Sequence, residues 1–438
     1  MLTVTISVFW LAGVTAFFIK RHYLFAITLG IIGFYELAES IFSEIISLEI
    51  IQSEIPSYIG RMDSPDVDAL GITLGRSVFF LFIIAAYLCT IRWSRRISLP
   101  VKYKNVSVFH FAFIILAVLA FGLISVYTGS GTKMLELYSR DDVYGQGAYV
   151  PLFYYATYLL VVLVILGISS FEKKRWMVMA MLVVAAMPIV REIIISGKRQ
   201  LWIPSFFVLL LYLLYSRRLK INLKIWIPVL VAVIVLAMGL QFQLRMIEQG
   251  AEFGGDFYSI VLWPFLEEFL GNGHVSRLAW NMYVEGNQSV QYGLQWLFII
   301  SNSFPYMKIG NLLWPHYRSE IDSIYFSVSP WGGLPIFADA IIAFGVFGIG
   351  LVGAVMGSLL AFAHKKIEYW FAQDIYITGH SVYLISLIST LVLKYRSGIG
   401  DVLRTIIFFS VLFGFFYALG ALLTNSLPLR RQSGRSTR

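Results

Sequence analysis

Residues 334–363 read LPIFADAIIAFGVFGIGLVGAVMGSLLAFA, and this stretch decides the fold class of the chain. It contains only one charged residue, Asp339. About 20 consecutive apolar residues in an α-helix suffice to cross the roughly 30 Å hydrocarbon core of a bilayer. The stretch therefore predicts a membrane-spanning helix.

The rest of the chain has the same character. Hydrophobic residues make up 58% of the 438 residues and charged residues 13%, whereas soluble proteins carry about 25% charged residues. The one cysteine, Cys89, excludes a disulfide or a cysteine-based metal site within the chain. We predict a single all-α transmembrane domain over residues 1–438, with about 11 spans. The predicted spans are 2–19, 23–45, 71–91, 107–127, 150–169, 176–195, 201–215, 225–241, 334–363, 379–395 and 404–423.

The basic clusters fall in alternate loops and set the predicted orientation. They lie at residues 20–21, 92–104, 173–175, 217–224, 365–366 and 430–438. Because cytoplasmic loops are rich in Lys and Arg, the amino terminus is predicted outside and the carboxyl terminus inside. The long segment 242–333, between spans 8 and 9, then becomes a large outer loop. Its apolar stretches 257–270 and 292–300 are predicted to form short helices lying in the membrane interface.

Arginines that break the orientation rule point to a binding function. They lie at the outer ends of spans or in outer loops, although charges in or near a membrane are costly. Guanidinium groups that converge on one cavity match the oxygens of a phosphate. The alternative is local pairing, such as Arg404 with Asp401 or Arg191 with Glu192, and Arg76 is expected to snorkel. The candidate anion-binding residues are Arg140, Arg191, Arg199, Arg245, Arg277, Arg396 and Arg404.

Several outer residues are candidates for a general base, because a carboxylate or imidazole can accept a proton from a hydroxyl. The pair Asp66 and Asp68 would suit a divalent cation, but a solvated acidic loop explains it equally simply. A hydrogen-bonded structural role is the alternative for His274. The candidate catalytic residues are Glu267, Glu268, His316 and Asp339.

Five short segments give the chain a resemblance to a known family. It resembles the bacterial O-antigen polymerases (Wzy-type), including the polymerase of enterobacterial common antigen. The segments are Leu137-Tyr138-Ser139-Arg140, Ser196-Gly197-Lys198-Arg199, Phe304-Pro305 to Leu313-Trp314-Pro315, Ser329-Pro330 to Asp339 and Gly345, and Tyr395-Arg396-Ser397-Gly398 to Arg404.

The resemblance implies an enzyme of the bacterial inner membrane that works at its periplasmic face. Such enzymes are GT-C-like glycosyltransferases that join oligosaccharide repeat units carried on undecaprenyl pyrophosphate, by metal-independent inverting transfer and without a cofactor. Arg140, Arg199, Arg396 and Arg404 would hold pyrophosphate and sugar, and Asp339 matches the family's acidic position. A separate chain-length regulator is the expected partner, and nucleic acid is not. An O-antigen ligase and a transporter for lipid-linked sugars are the alternatives.

Overall fold

The structure is a computed structural model, and it describes seven stretches of the chain and a few isolated positions between 207 and 239. The stretches are 2–45, 68–94, 257–286, 290–302, 309–329, 333–372 and 379–426. Every bounded element within these stretches is a helix. The helices are α1 (Leu2–Ile19), α2 (Tyr23–Ile45), α3 (Ala69–Ser94), α4 (Phe257–Val284), α5 (Leu294–Ser301), α6 (Ile309–Leu313), α7 (Tyr317–Val328), α8 (Ile336–Ala372), α9 (Gly379–Leu393) and α10 (Gly398–Ser426).

The predicted spans that fall on described residues are confirmed as helices, in α1, α2, α3, α8, α9 and α10. Among the described residues, three helices are long and apolar enough to cross a membrane: Ala69–Trp93, Ile336–Trp370 and Gly398–Phe415. The other predicted spans lie outside the described stretches, and they are 107–127, 150–169, 176–195, 201–215 and 225–241. The coarse prediction of an all-helical membrane protein therefore holds for the described part of the chain.

A tight turn joins α1 to α2. The His22 N–H donates to the Phe17 carbonyl at 2.9 Å and the Arg21 N–H donates to the Phe18 carbonyl at 3.0 Å. Arg21 has a φ of 64°. This is the Schellman arrangement, in which a left-handed residue ends the helix and satisfies its last carbonyls. The turn folds the two helices back against each other.

The most extensive contact between described helices joins α3 and α8. Glycines of α8 let the two backbones approach. A Cβ placed on Gly357 would lie 2.2 Å from the Ile83 carbonyl oxygen, and one placed on Gly353 would lie 3.0 Å from the Phe79 carbonyl oxygen. Small residues at helix contacts are typical of membrane proteins, where association depends on close packing.

Replacing Gly357 by alanine is expected to lower the free energy of unfolding by about 1–3 kcal/mol, because the methyl group forces the α3 backbone away. Denaturant unfolding of the purified protein in detergent measures this. The matched control is Gly414→Ala in α10, where a Cβ meets nothing within 4 Å and the better helix propensity of alanine leaves stability equal or higher. An equal loss in both variants would contradict this packing.

A break interrupts α8 at Phe344 and Gly345. Gly345 has a φ of 59° and a ψ of −145°, a conformation open to glycine and hardly to other residues. A Cβ there would also lie 2.6 Å from the Tyr283 ring. The Ile342 carbonyl accepts a hydrogen bond from the Gln291 N–H at 3.0 Å. The break therefore separates a short amino-terminal piece of α8, which carries Asp339, from the long remainder.

Helix α4 corrects one prediction. A short helix was expected over 257–270, but α4 runs on to Val284 through Gly271-Asn272-Gly273. A Cβ on Gly273 would lie 2.7 Å from the Glu39 Cβ. The glycine here allows α4 to pack closely on α2, and it does not end the helix. The second expected helix, over 292–300, is confirmed as α5.

Histidines and tyrosines connect the elements at the end of the bundle where α1 turns into α2. The His22 Nδ1 lies 2.8 Å from the Tyr87 hydroxyl of α3. The His364 Nδ1 of α8 lies 2.7 Å from the Tyr215 hydroxyl, which accepts the Leu24 N–H at 3.2 Å. These bonds satisfy polar groups that lie between apolar helices.

Candidate functional site

Two buried carboxylates of α2 and an arginine of α3 meet at the end of the bundle opposite the α1–α2 turn. Helix α2 ends there, and α3, α8 and α10 begin there. We call this end of the bundle the site end. Glu36 and Arg76 are 0% and 2% exposed. The Arg76 Nε lies 3.4 Å from the Glu36 carboxylate, and its Nη2 lies 3.6 Å from the Glu39 carboxylate. Arg76 Nη2 also donates to the Gly273 carbonyl at 2.8 Å. The expectation that Arg76 snorkels is wrong, because acidic partners inside the bundle hold it there.

Helix α4 completes this ionic network with two side chains one turn apart. The Arg277 Nη2 lies 2.8 Å from the Glu39 carboxylate and 2.8 Å from His274 Nδ1. A guanidinium group only donates hydrogen bonds, so His274 Nδ1 is the acceptor in this contact. The structural interpretation of His274 is thereby confirmed. Because Glu36 and Glu39 offset both arginines, the network is close to neutral.

The ionic network continues into the turn between α9 and α10. One Glu36 oxygen accepts hydrogen bonds from the Tyr395 hydroxyl at 2.8 Å and the Ser276 hydroxyl at 3.1 Å. Tyr395 is itself buried. Residues far apart in sequence thus share one carboxylate, and Arg396 follows directly on Tyr395.

Asp339, in the first turn of α8, is fully buried. One oxygen accepts the Ile399 N–H at 2.6 Å and the Trp296 Nε1–H at 3.0 Å. The other accepts the Gln295 amide at 3.4 Å and the Tyr325 hydroxyl at 3.5 Å. All four partners are neutral donors. Asp339 therefore ties the first turn of α10 to α5, α7 and α8.

Tyr325, in α7, stays protonated beside this carboxylate. Burial raises the pKa of the Tyr325 phenol, and the charge of Asp339 raises it further. A protonated phenol is a donor, which is what an ionised carboxylate needs. The hydrogen bond between the two groups therefore persists through the physiological pH range.

The turns before α8 and before α10 pack side by side. Leu334 and Ser397 form an isolated parallel bridge, and the Ile336 N–H donates to the Tyr395 carbonyl at 2.9 Å. The Ser329 hydroxyl donates to the Gly333 carbonyl. Two of the segments that carry the family resemblance, the one from Ser329 to Gly345 and the one from Tyr395 to Arg404, are therefore neighbours in space.

Arg396 faces the residues that precede α8. A Cβ placed on Gly333 would lie 3.9 Å from the Arg396 Nε and 3.5 Å from the Asn272 Oδ1. Both distances are ordinary contacts, so the absent side chain leaves Arg396 and Asn272 on either side of Gly333. A guanidinium group and an amide in this arrangement can bind an anionic or hydroxylated ligand. We call Asn272, Gly333 and Arg396 the Arg396 site.

Some of the other predicted site residues lie on the described helices, and others lie outside the described stretches. Arg404 pairs with Asp401 at 2.5 Å, which confirms local pairing for this residue, although 44% of its side chain stays exposed. His316 is exposed just before α7, and its side chain does not cap that helix. Glu267 and Glu268 lie on α4. Four predicted arginines lie outside the described residues: Arg140, Arg191, Arg199 and Arg245.

Asp68 has a role that the sequence analysis did not consider. Its carboxylate accepts the Gly71 N–H at 2.8 Å and the Trp280 Nε1–H at 3.3 Å. It therefore caps the amino terminus of α3, where an aspartate satisfies an otherwise unpaired N–H. Asp66 lies outside the described residues. Across the described stretches, no three His, Cys, Asp or Glu side chains are grouped so as to hold a metal ion.

Glu36 and Glu39 are the functional candidates that the sequence analysis missed. A usable signal was present, since they are two acids three residues apart in the interior of a mostly apolar span. Ionisable residues inside a span usually face a protein interior and a partner. Their spacing places them on the same helix face, which predicts a shared partner.

The described part of the chain is therefore all-helical, has three helices long and apolar enough to cross a membrane, and carries a buried ionic network at one end. No protein-family model, curated protein or solved structure matches the chain.

Proposed function

We propose that this protein is a membrane glycosyltransferase that polymerises oligosaccharide repeat units carried on undecaprenyl pyrophosphate. The observation that carries the proposal is the meeting of two family-like segments at the site end. The segment from Ser329 and the segment from Tyr395 are joined there by the Leu334–Ser397 bridge. Arg396 lies at their junction, beside a glycine.

The proposed reaction breaks the bond between the growing glycan and its pyrophosphate carrier. An acceptor sugar hydroxyl attacks the anomeric carbon with inversion, its proton passes to a general base, and undecaprenyl pyrophosphate leaves. Arg396 stabilises the charge that develops on the leaving pyrophosphate, as positively charged groups do without a metal. Glu267, Glu268 and His316 are the candidates for the base.

The proposal includes the topology inferred from the basic loops. Eleven helices span the bacterial inner membrane in a GT-C-like arrangement, and the site end faces the periplasm. Sugar chains occupy the aqueous side, where aromatic rings can pack on their apolar faces. The lipid tails reach the site laterally between helices, and a chain-length regulator acts as a separate membrane partner.

One observation favours a second candidate, a transporter for lipid-linked sugars. Broken helices commonly form the binding sites of transporters, and α8 is broken at Phe344–Gly345. The charged network, however, lies at one end of the bundle, whereas a transporter typically binds near the bilayer midplane. This position favours one-sided chemistry. An O-antigen ligase differs from a polymerase in its acceptor.

The decisive experiment takes the substrate from the host cell. Deleting the gene is expected to abolish the polymeric surface glycan and leave single repeat units on undecaprenyl pyrophosphate. Those units, extracted and added to purified protein with excess EDTA, are expected to yield a ladder of multimers. Transfer of a finished glycan to a lipid core would indicate the ligase. Movement of the lipid across a vesicle membrane without lengthening would replace the polymerase proposal by the transporter.

Substituting Arg396 tests the role of this site in the same assay. Arg396→Ala is expected to slow multimer formation about 100-fold, the scale of losing one preorganised charge-stabilising donor. The rate of product formation from the extracted repeat unit measures it. The matched control is Arg318→Ala, because Arg318 is 60% exposed and pairs with Asp322 one turn along. If the two variants lose the same activity, Arg396 has no special role.

A further inference from the structure

The turn between α9 and α10, residues 394–398, makes long-range backbone contacts that a surface turn usually lacks. Its backbone is tied to the start of α8 by the Ile336–Tyr395 hydrogen bond at 2.9 Å and by the Leu334–Ser397 bridge. Its end is a left-handed glycine, Gly398, with a φ of 75°. Loops usually make few such long-range bonds and are correspondingly mobile. The turn that carries Arg396 is therefore a fixed support.

The first buried acid that holds this turn is Glu36. One of its oxygens accepts the Tyr395 hydroxyl at 2.8 Å, and the other lies 3.4 Å from Arg76 Nε. Ser276 also donates to the first oxygen. One Glu36 oxygen thus accepts two hydroxyls and the other is ion-paired with Arg76, so Glu36 orients Tyr395.

The second acid is Asp339, on the other side of the same turn. A Cβ on Gly398 would lie 3.0 Å from its carboxylate, so this acid packs directly against the turn. Its oxygens accept the Ile399 N–H and three side-chain donors. Asp339 accepts the N–H of Ile399, in the first turn of α10, so this backbone donor is not available to a bound anion.

We propose that Glu36 and Asp339 are a pair of positioning residues that fix Arg396 for a diphosphate ester, and that neither acts as the general base. This inference rests on the proposed function and states which residues hold the Arg396 site in place. A bidentate guanidinium–phosphate contact needs both groups within about 0.5 Å of the productive geometry. Glu36 holds the start of the turn through Tyr395, and Asp339 holds its end through Ile399. Together they restrain the backbone that carries Arg396.

The two roles predict different kinetics. A general base acts only in the chemical step, so its loss lowers kcat and leaves KM unchanged. A positioning residue acts through Arg396, which contacts the pyrophosphate in the bound substrate as well as when charge develops on it, so its loss also weakens substrate binding. Tyr395→Phe, which removes only the hydroxyl held by Glu36, and Asp339→Asn, which keeps the shape, are each expected to raise KM for the lipid-linked unit about tenfold. We expect kcat to fall less than KM rises.

The experiment measures kcat and KM of the wild type, Tyr395→Phe, Asp339→Asn and Arg318→Ala in the multimer assay. The binding of undecaprenyl pyrophosphate to the same four proteins in nanodiscs is measured in parallel. The inference is supported if KM rises and binding weakens to a matching extent in Tyr395→Phe and Asp339→Asn but not in Arg318→Ala. A fall in kcat alone for Asp339→Asn assigns the base to Asp339 and overturns it.

The binding arm separates this inference from the proposed function. If the wild type forms no multimers but binds undecaprenyl pyrophosphate more tightly than Tyr395→Phe and Asp339→Asn, the polymerase proposal fails and the positioning role stands. Equal binding by all four proteins, or no binding by the wild type, overturns the positioning role. Denaturant unfolding of Tyr395→Phe, which loses one hydroxyl, verifies that a binding defect does not arise from unfolding.

Discussion

Arg76→Met is expected to lower the free energy of unfolding by about 3–5 kcal/mol, because it leaves the buried Glu36 without its cation and Glu39 with Arg277 alone. Arg76 is 2% exposed and lies within 3.6 Å of both Glu36 and Glu39. Its removal also leaves the Gly273 carbonyl without this donor. Denaturant unfolding of the purified protein in detergent micelles measures the loss.

A triple variant shows whether the loss comes from unpaired charge. Adding Glu36→Gln and Glu39→Gln to Arg76→Met is expected to recover part of the stability, because no buried carboxylate is then left without a cation. The recovery is incomplete because Arg277, 16% exposed, loses its Glu39 partner. Arg318→Met serves as control. Its arginine is 60% exposed, and surface changes of this kind usually stay within about 0.5 kcal/mol. If the triple variant is no more stable than Arg76→Met, packing and not charge dominates.

Asp339→Ala is expected to cost about 3–5 kcal/mol, since several buried donors lose their acceptor at once and each unsatisfied buried donor costs about 1–3 kcal/mol. The donors are the Ile399 N–H, the Trp296 indole, the Gln295 amide and the Tyr325 hydroxyl. The first turn of α10 is expected to fray. Hydrogen exchange at residues 398–402 measures the fraying directly.

A nearby acid gives the matched control for Asp339. Asp401 pairs with Lys394 and Arg404 and is 23% exposed, so water can solvate its partners once it is removed. Asp401→Ala is expected to cost about 1 kcal/mol or less. Equal protection of residues 398–402 in Asp339→Ala and the wild type would contradict the anchoring role of Asp339.

The helices of the described region could be predicted because each depends on a local property. The start of α1 at Leu2 and the end of α2 at Ile45 follow from where an apolar stretch begins and ends. The error at α4 arose for a physical reason as well. Glycine ends helices at an exposed carboxyl terminus, but in Gly273 it serves to bring α4 against α2, and the two uses look alike in sequence.

The site was predictable only in part. Arg396 and Asp339 were singled out, but the neutral donors that surround the Asp339 carboxylate could not be predicted. Glu36 was not singled out at all. Its partners depend on which helices pack against α2, and the composition of the chain does not determine that packing.

By itself, the sequence determined that this protein is helical and apolar enough for a membrane, because the apolar runs have the length that a bilayer requires. It also determined which residues carry charge in apolar surroundings. Only the tertiary structure decided what those charges do. Glu36 and Tyr395 are 359 residues apart in the chain and share a hydrogen bond, since packing of α2 against its neighbours brings them together. A buried charge takes its role from the partners within about 4 Å of it, and these are fixed by the fold.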